Sequence, residues 1–277
     1  MDDQGTLTWN GFEEKVIVVT GGAGVLCAPL CRALATVGAK IAILDINGKS
    51  AETLTLEIKR SGGEALALAC DVSKKDDLEV DAKEIIRTYG RVDMLINGVG
   101  GNNPNATTRA DLPFFDLPED ALSWVVDLNL MGTILACQVF GKFMAQQKKG
   151  NILNISSMNA FRPLTRIPAY SAAKAAVSNF TQWLAVYMAQ EYSAEIRVNA
   201  IAPGFFLTDQ NQYLLIDQGT GNLSMRGQTI IDHTPMRRFG SPEDLVGTVF
   251  WLLSPTSSFV TGIVVPIDGG FSAFSGV

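Results

Sequence analysis

The chain has little histidine, little cysteine and no excess of positive charge, and each scarcity removes a class of function. A single histidine, His233, and four cysteines, at 27, 31, 70 and 137, fall at no paired ligand spacing, so structural zinc, another metal centre or a disulfide framework is not expected. Each cysteine lies in an apolar segment, where a free thiol behaves as a small hydrophobe. Lys and Arg number 22 against 28 Asp and Glu, a formal net charge of −6, which offers no electrostatic footprint for nucleic acid or an anionic membrane. The opening Met1-Asp2-Asp3 lacks the basic start and apolar run of a signal peptide. No run of about 18 apolar residues free of charge and punctuation occurs either, so a soluble, cytoplasmic protein is expected.

What is present is a large apolar complement. At 277 residues and 47% hydrophobic, the chain can bury a sizeable core, and one domain over 1–277 is the expected organisation. Short β-branched runs alternate with longer helical stretches, the pattern of an α/β protein whose parallel sheet is covered on both faces. The runs predict strands at Val16–Thr20, Lys40–Asp45, Ala65–Cys70, Val92–Asn97, Asn151–Ser156, Glu195–Ala200 and Gly262–Ile267. Between them the periodicity predicts helices at Ala28–Val37, Ser50–Ser61, Lys74–Tyr89, Glu119–Gln147, Ala169–Tyr192 and Pro242–Leu253, with Ser50, Ser73 and Ser241 as caps. Seven strands in this order predict a doubly wound Rossmann sheet. The stretch 205–239, with Gly219, Gly221, Asn222 and Gly227 and little periodicity, reads as an insertion that forms a mobile substrate lid.

The first strand runs into Thr20-Gly21-Gly22-Ala23-Gly24 and then a helix, so glycines and exposed amides could receive a pyrophosphate. Such a turn alone also occurs without a ligand. The second strand, however, ends in Asp45, about 20 residues beyond the turn, where a carboxylate would accept from ribose hydroxyls and repel a 2′-phosphate; NAD(H) is therefore favoured over NADP(H). The third and fourth strands end in Cys70-Asp71-Val72 and Asn97-Gly98-Val99-Gly100, again at carboxyl ends, where open α/β sheets bind ligands. Asp71 could reach an adenine or serve a helix cap or turn.

In Tyr170-Ser171-Ala172-Ala173-Lys174 a spacing of four sets a phenol and an ammonium on one helix face. The lysine charge would favour phenolate and lower the tyrosine pKa toward the working range of a general acid/base. Ser157 closes the strand run Asn154-Ile155-Ser156-Ser157 and would hold a substrate oxygen.

From Lys15 to Gly270 these motifs resemble those of the classical short-chain dehydrogenase/reductase family. Its glycine turn matches Thr20–Cys27, its Asn-Asn-Ala-Gly element Asn97–Gly100, its tetrad asparagine Asn129, its serine Ser157, its Tyr-x-x-x-Lys Tyr170 and Lys174, and its Pro-Gly with a following threonine Pro203, Gly204 and Thr208. The resemblance implies that Tyr170 exchanges a proton, Ser157 positions the substrate oxygen, Lys174 binds the nicotinamide ribose, and Asn129 holds a water in a proton relay. It also implies a cofactor site of Gly21, Gly24, Val25, Leu26, Asp45, Ile46, Asp71, Val72, Asn97, Gly98, Tyr170, Lys174, Pro203, Gly204 and Phe206, with the nicotinamide amide bound by backbone near Ile201 and Phe206. Two departures stand out: Val25 and Cys27 replace the later glycines of the turn, and Asn-Gly-Val-Gly replaces Asn-Asn-Ala-Gly.

The polar texture around Asn102, Asn103, Thr107 and Thr108, and the run Arg162-Pro163-Leu164-Thr165-Arg166, would suit a small-molecule substrate with several hydroxyls and a carboxylate; the arginines could equally be surface residues. Together with the ending Gly270–Val277, this texture is similar to D-mannonate oxidoreductase (fructuronate reductase)-like sugar-acid dehydrogenases, and the resemblance implies interconversion of D-fructuronate and D-mannonate. A gluconate 5-dehydrogenase or other polyol/ketone reductase is the alternative, and a non-catalytic NAD-binding sensor the alternative of another class. His233 reads as a loop contact. Trp124, Phe140, Phe143, Phe180, Trp183 and Tyr187 could be core packing, or, as the resemblance implies, the interface of a homotetramer.

Overall fold

The computed structural model describes residues 11–208, 212–217 and 219–276. Seven strands, β1 (Val16–Thr20), β2 (Lys40–Asp45), β3 (Glu64–Ala69), β4 (Met94–Asn97), β5 (Gly150–Ile155), β6 (Ile196–Pro203) and β7 (Val264–Ile267), form one parallel sheet in the order β3-β2-β1-β4-β5-β6-β7. The central strands are buried along their length, which explains their near-continuous Val, Ile and Leu. The predicted doubly wound sheet is therefore observed, with the strand order reversing between β1 and β4. In the register Thr20 pairs Asn97 and Asn97 pairs Asn154, so the carboxyl ends of β1, β4 and β5 lie side by side at the switch point.

Helices α1 (Cys27–Thr36), α2 (Gly48–Arg60), α3 (Lys75–Tyr89), α4 (Glu119–Val126), α5 (Gly132–Gln147), α6 (Pro168–Glu191), α7 (Gln212–Leu215), α8 (Met225–His233) and α9 (Val246–Leu253) complete the chain. One apolar layer joins α1, α2 and α9 to the sheet through Leu30, Leu34, Ile41, Ile43 and Phe250; the other joins α3, α5 and α6 through Val18, Leu78, Ile85, Phe140 and Met188.

Several expectations are corrected. The helix expected over Glu119–Gln147 is interrupted by a π-helical turn at Asp127–Met131. Here the Asn129 side-chain amide donates to the Val125 carbonyl (2.8 Å), taking the acceptor of a normal helical turn, and Gly132 N–H closes onto Asp127 instead. The whole run has the length and mean hydropathy of a membrane span, yet its faces pack against α3, α6, β4 and β5. Ser50 does not cap α2: Asn47 does, accepting from Ser50 N–H at 3.2 Å. Ser73 likewise sits in a turn, donating through N–H and Oγ to Asp71 Oδ1. Ser241 does form a capping box with Asp244, but the first turn there is 3₁₀ and α9 begins only at Val246.

The described part of 205–239 has more regular structure than its glycines suggest. It holds α7, α8 and an antiparallel bridge between Ile216 and Leu223. Asp217 Oδ1 accepts from Gly219 N–H and Thr220 N–H, Ser224 Oγ caps α8 through Gly227 N–H at 3.0 Å, and Gly227 packs on the Leu215 carbonyl where a Cβ would not fit. Polar turn chemistry rather than hydrophobic periodicity builds this unit, which is why the periodicity missed it.

Candidate active site

The Gly-rich turn delivers what an anion needs. Gly21 sits at φ +61°, a conformation natural to glycine, and lies against Val99 of the strand-four loop. The turn closes through Gly24 N–H to Gly21 O (3.0 Å), and Cys27 N–H returns to Gly24 O (3.1 Å). Ala23 N–H is taken by Asp45 Oδ2 (3.1 Å). The N–H groups of Val25 and Leu26, at the entrance to α1, have no partner among the described residues, so two amides and the positive end of the helix remain for a phosphate. Replacing a glycine by Val25 leaves this amide in place.

Asp45 also accepts from Asn47 N–H at 2.9 Å, which fixes its carboxylate while each oxygen keeps a further acceptor position. Ile46 next to it is 78% exposed, an apolar wall at the rim. These residues fit a dinucleotide whose ribose hydroxyls meet Asp45. Asp71 takes the turn role: it accepts from Ser73 and pairs with Lys74, and the Ser73 hydroxyl holds its carboxyl below the usual range. Val72 is buried against Gly132, leaving only its backbone for a ligand.

The Asn97 side chain serves the sheet itself. It is buried, and its Nδ2 donates to Asn154 Oδ1 (2.8 Å), whose own Nδ2 donates to Thr181 Oγ1 (2.9 Å), so it ties β4 to β5 and α6. Gly98 N–H donates to Thr20 O (3.0 Å). A Cβ on Gly98 would strike the Cys27 sulfur and come within 2.7 Å of Thr20 O. The two departures from the family pattern therefore meet: the bulk gained at Cys27 occupies the space vacated at Gly98. Burial pushes the Cys27 thiol up to about 12, so it packs rather than reacts.

Lys174 is 3% exposed and donates from Nζ to Ile155 O (2.8 Å), which anchors the amine to the end of β5. Burial brings its pKa down to about 8. Its Nζ lies 5.7 Å from the Tyr170 ring centre. The expected lowering of the Tyr170 pKa is not found: burial dominates and holds the phenol above its ordinary value, with the Ser157 hydroxyl pulling the other way. Ser157 Oγ also accepts from Asn159 N–H at 3.2 Å. Asn129, fully buried, donates through Nδ2 to Gly101 O (2.7 Å) and Val125 O and accepts from Gly101 N–H (3.2 Å). Both amide hydrogens are thus used, so the side chain has no donor left for the expected water. Gly100 is a residue the sequence reading passed over: a Cβ there would lie 2.8 Å from Asn129 Oδ1 and 2.9 Å from Lys174 Nζ. Its place in the Asn97–Gly100 element was the available signal.

The strand-six end approaches β7 closely. Gly204 N–H donates to Ile267 O (2.9 Å), and a Cβ on Gly204 would lie 2.6 Å from that of Asp268; Pro203 and Phe206 are buried here. Of the expected substrate residues, Asn102 donates to Thr107 Oγ1 (2.8 Å) and Asn103 accepts from Asn105 N–H (2.9 Å), so both build their loop. Arg162 Nε donates to Ser272 O (3.2 Å) in the C-terminal segment. Arg166 is exposed, at φ +80°, with its carbonyl accepting from Thr108 N–H (2.8 Å). No group of three or more metal-ligating side chains exists among the described residues.

Comparison with known proteins agrees with this geometry. The family model described as enoyl-(acyl carrier protein) reductase matches residues 24–272. The uncharacterized oxidoreductase UxuB of Bacillus subtilis (strain 168) is 48% identical over 272 residues, 95% of this chain and 96% of the relative. The crystal structure of a proposed D-mannonate oxidoreductase from Haemophilus influenza, with bound NAD, superposes with a TM-score of 0.90 at 47% identity, covering 96% of this chain and 97% of the other. The 5-keto-D-gluconate 5-reductase of Escherichia coli (strain K12) is 32% identical over 257 residues, 92% of this chain and 94% of the relative. With the strand order, the glycine turn and the clustered Ser157, Tyr170 and Lys174, these likenesses place the chain in the short-chain dehydrogenase/reductase family of oxidoreductases.

Proposed function

We propose that the protein is an NAD(H)-dependent oxidoreductase that interconverts D-fructuronate and D-mannonate. The observation that carries the substrate is the likeness, over nearly the full length of both chains, to the Haemophilus protein with bound NAD. Asp45 at the ribose position and the free amides of Val25 and Leu26 support NAD(H) as the partner. The nicotinamide supplies the hydride acceptor or donor; the chain's own work is orientation and proton handling. Tyr170 holds a proton at its phenol oxygen, ready for donation to a ketone, and Ser157 binds the same substrate oxygen. Lys174 fixes a ribose and supplies positive charge near Tyr170. Asn129 acts on the site by fixing Gly100 and Gly101 beside Lys174.

Residues 205–239 serve as the substrate lid of a single domain spanning 1–277, and the enzyme works in the cytoplasm as a homotetramer. A second reading, reduction at carbon 5 of a ketogluconate, is favoured by the likeness to the 5-keto-D-gluconate 5-reductase. The test is NADH consumption with D-fructuronate, D-tagaturonate and 5-ketogluconate in parallel, repeated with NADPH. Preference for D-fructuronate with NADH is expected. Turnover of 5-ketogluconate alone would establish the second reading, turnover with NADPH alone would remove the role of Asp45, and no turnover at all would favour a non-catalytic NAD sensor.

A further inference from the structure

Six asparagines are buried among the described residues, and five of them have a structural task. The Nδ2 groups of Asn97, Asn129, Asn151, Asn154 and Asn199 each donate to another strand, helix or loop. Asn159 is the exception. It is 5% exposed, its side chain makes no hydrogen bond among the described residues, and its Oδ1 is closed off from the surface without a partner. Asn97 and Asn151 also leave an Oδ1 unpaired, but each of them is anchored through Nδ2. A buried amide with neither end engaged costs stability, so the group that completes Asn159 is one the fold does not supply.

The position of Asn159 says what kind of group that is. It lies two residues beyond Ser157, in a 3₁₀ turn over Met158–Ala160 that packs against α6 and β6. Its N–H donates to Ser157 Oγ at 3.2 Å, and the same hydroxyl contacts Tyr170. The turn is closed by Ala160 N–H to Ser157 O (2.9 Å) and Phe161 N–H to Met158 O (3.0 Å). The Asn159 backbone is thus fixed on the serine assigned to the reacting oxygen. From its backbone nitrogen an asparagine side chain reaches about 5 Å, which keeps Oδ1 within about 8 Å of Ser157 Oγ. An α-hydroxy ketone covers that interval: a hydrogen bond from Ser157 to the ketone oxygen, about 3 Å to the hydroxyl on the neighbouring carbon, and a second hydrogen bond to the amide. An amide suits a hydroxyl because it can accept from it and donate to it.

We propose that Asn159 is a specificity-determining residue: its side-chain amide hydrogen-bonds a hydroxyl on a carbon next to the reacting carbon, and so selects α-hydroxy ketones and the matching vicinal diols over substrates without that neighbour. This rests on the sugar-acid reading above and deepens it by naming the residue that senses the adjacent hydroxyl. A substrate lacking the hydroxyl leaves the buried amide unpaired, which discriminates more strongly than an apolar wall would.

The test is kcat/KM for NAD-dependent oxidation of D-mannonate and of its 4-deoxy and 6-deoxy analogues, which lack one or other hydroxyl beside carbon 5, by the wild type, Asn159→Leu and Asn159→Ala. The wild type should lose roughly 10- to 100-fold on one analogue; the variants should lose a similar factor on D-mannonate and little more on that analogue. Tm and NAD affinity should hold in Asn159→Leu, because leucine fills a similar space and has no amide to satisfy. No loss on D-mannonate would overturn the role of Asn159 and leave the sugar-acid reading standing. Equal losses on all three substrates would do the same, since an amide that serves only the fold gives that result. Turnover of D-gluconate in place of D-mannonate would change the substrate and move the comparison, with the same outcomes, to its deoxy analogues. A wild type that oxidises neither acid would overturn both.

Discussion

Lys174 is buried and Tyr170 half-buried beside it, and burial acts on both in the direction of the neutral form: the phenol is pushed up and the amine down to about 8. A site so arranged keeps its proton for reduction through neutral pH. Lys174 loses its charge as pH rises through about 8, so the rate of ketone reduction should be flat below that value and decline above it. In a profile measured at saturating NADH, a rate level through pH 9 would show that burial does not set the lysine. The folded pKa of this lysine is depressed, so its cost to stability is full below about 8 and is relieved as pH rises toward the unfolded value. Tyr170→Phe removes the proton donor and should cost about 10²- to 10⁴-fold in kcat while NADH binding, read by protein fluorescence, is retained. Cys27 and Gly98 form a second residue-scale pair. Gly98→Ala drives a methyl into the sulfur and should destabilise by about 1–3 kcal/mol. Cys27→Ala in the same chain should recover part of this, the Thr20 carbonyl accounting for the rest; an undiminished loss in the double variant would refute the pairing.

At the scale of elements, the π turn between α4 and α5 shows how one polar side chain reshapes a helix to build a site. Asn129 uses the Val125 carbonyl, and the widened turn lets the same amide reach Gly101. The helix α3 carries a different tension. Asp81 is buried beside Cys70, and burial raises its carboxyl above the ordinary range. Its folded pKa exceeds the unfolded one, so the native state is disfavoured as pH climbs out of the carboxylate range and unaffected below it. Asp81→Asn should therefore raise Tm at neutral pH and leave it unchanged near pH 4, about where the unfolded side chain titrates. Thermal unfolding at the two values checks this, and a lower Tm at both would show that the charge is used rather than tolerated.

On the scale of the whole molecule, the α5 and α6 faces turned away from the sheet are conspicuously apolar. Phe180, Trp183 and Tyr187 stack in succession, with Trp183 and Tyr187 ring centres 5.0 Å apart, along a groove of about 920 Å³. Trp183 is 57% exposed, more than core packing against the sheet requires. The proposed homotetramer would bury this face. Trp183→Glu should then lower the mass seen by light scattering while leaving the monomer folded; an unchanged mass would locate the subunit contact elsewhere.

The alternation of short apolar strands and amphipathic helices was enough to determine the sheet, because central strands buried on both faces admit few polar residues. Local spacing along the chain singled out Asp45, Ser157, Tyr170 and Lys174 as candidates, because strand ends and a helical spacing of four are local geometry. Tertiary structure alone decided the rest. Asn97 and Asn129 turned inward to bind other elements, Gly100 proved to be space for Lys174, and Cys27 met Gly98 from 71 residues away. Each of these depends on which atoms become neighbours across the fold, and a pattern read along the chain records spacing, whereas burial, steric fit and unpaired charge are set only when distant segments close on one another.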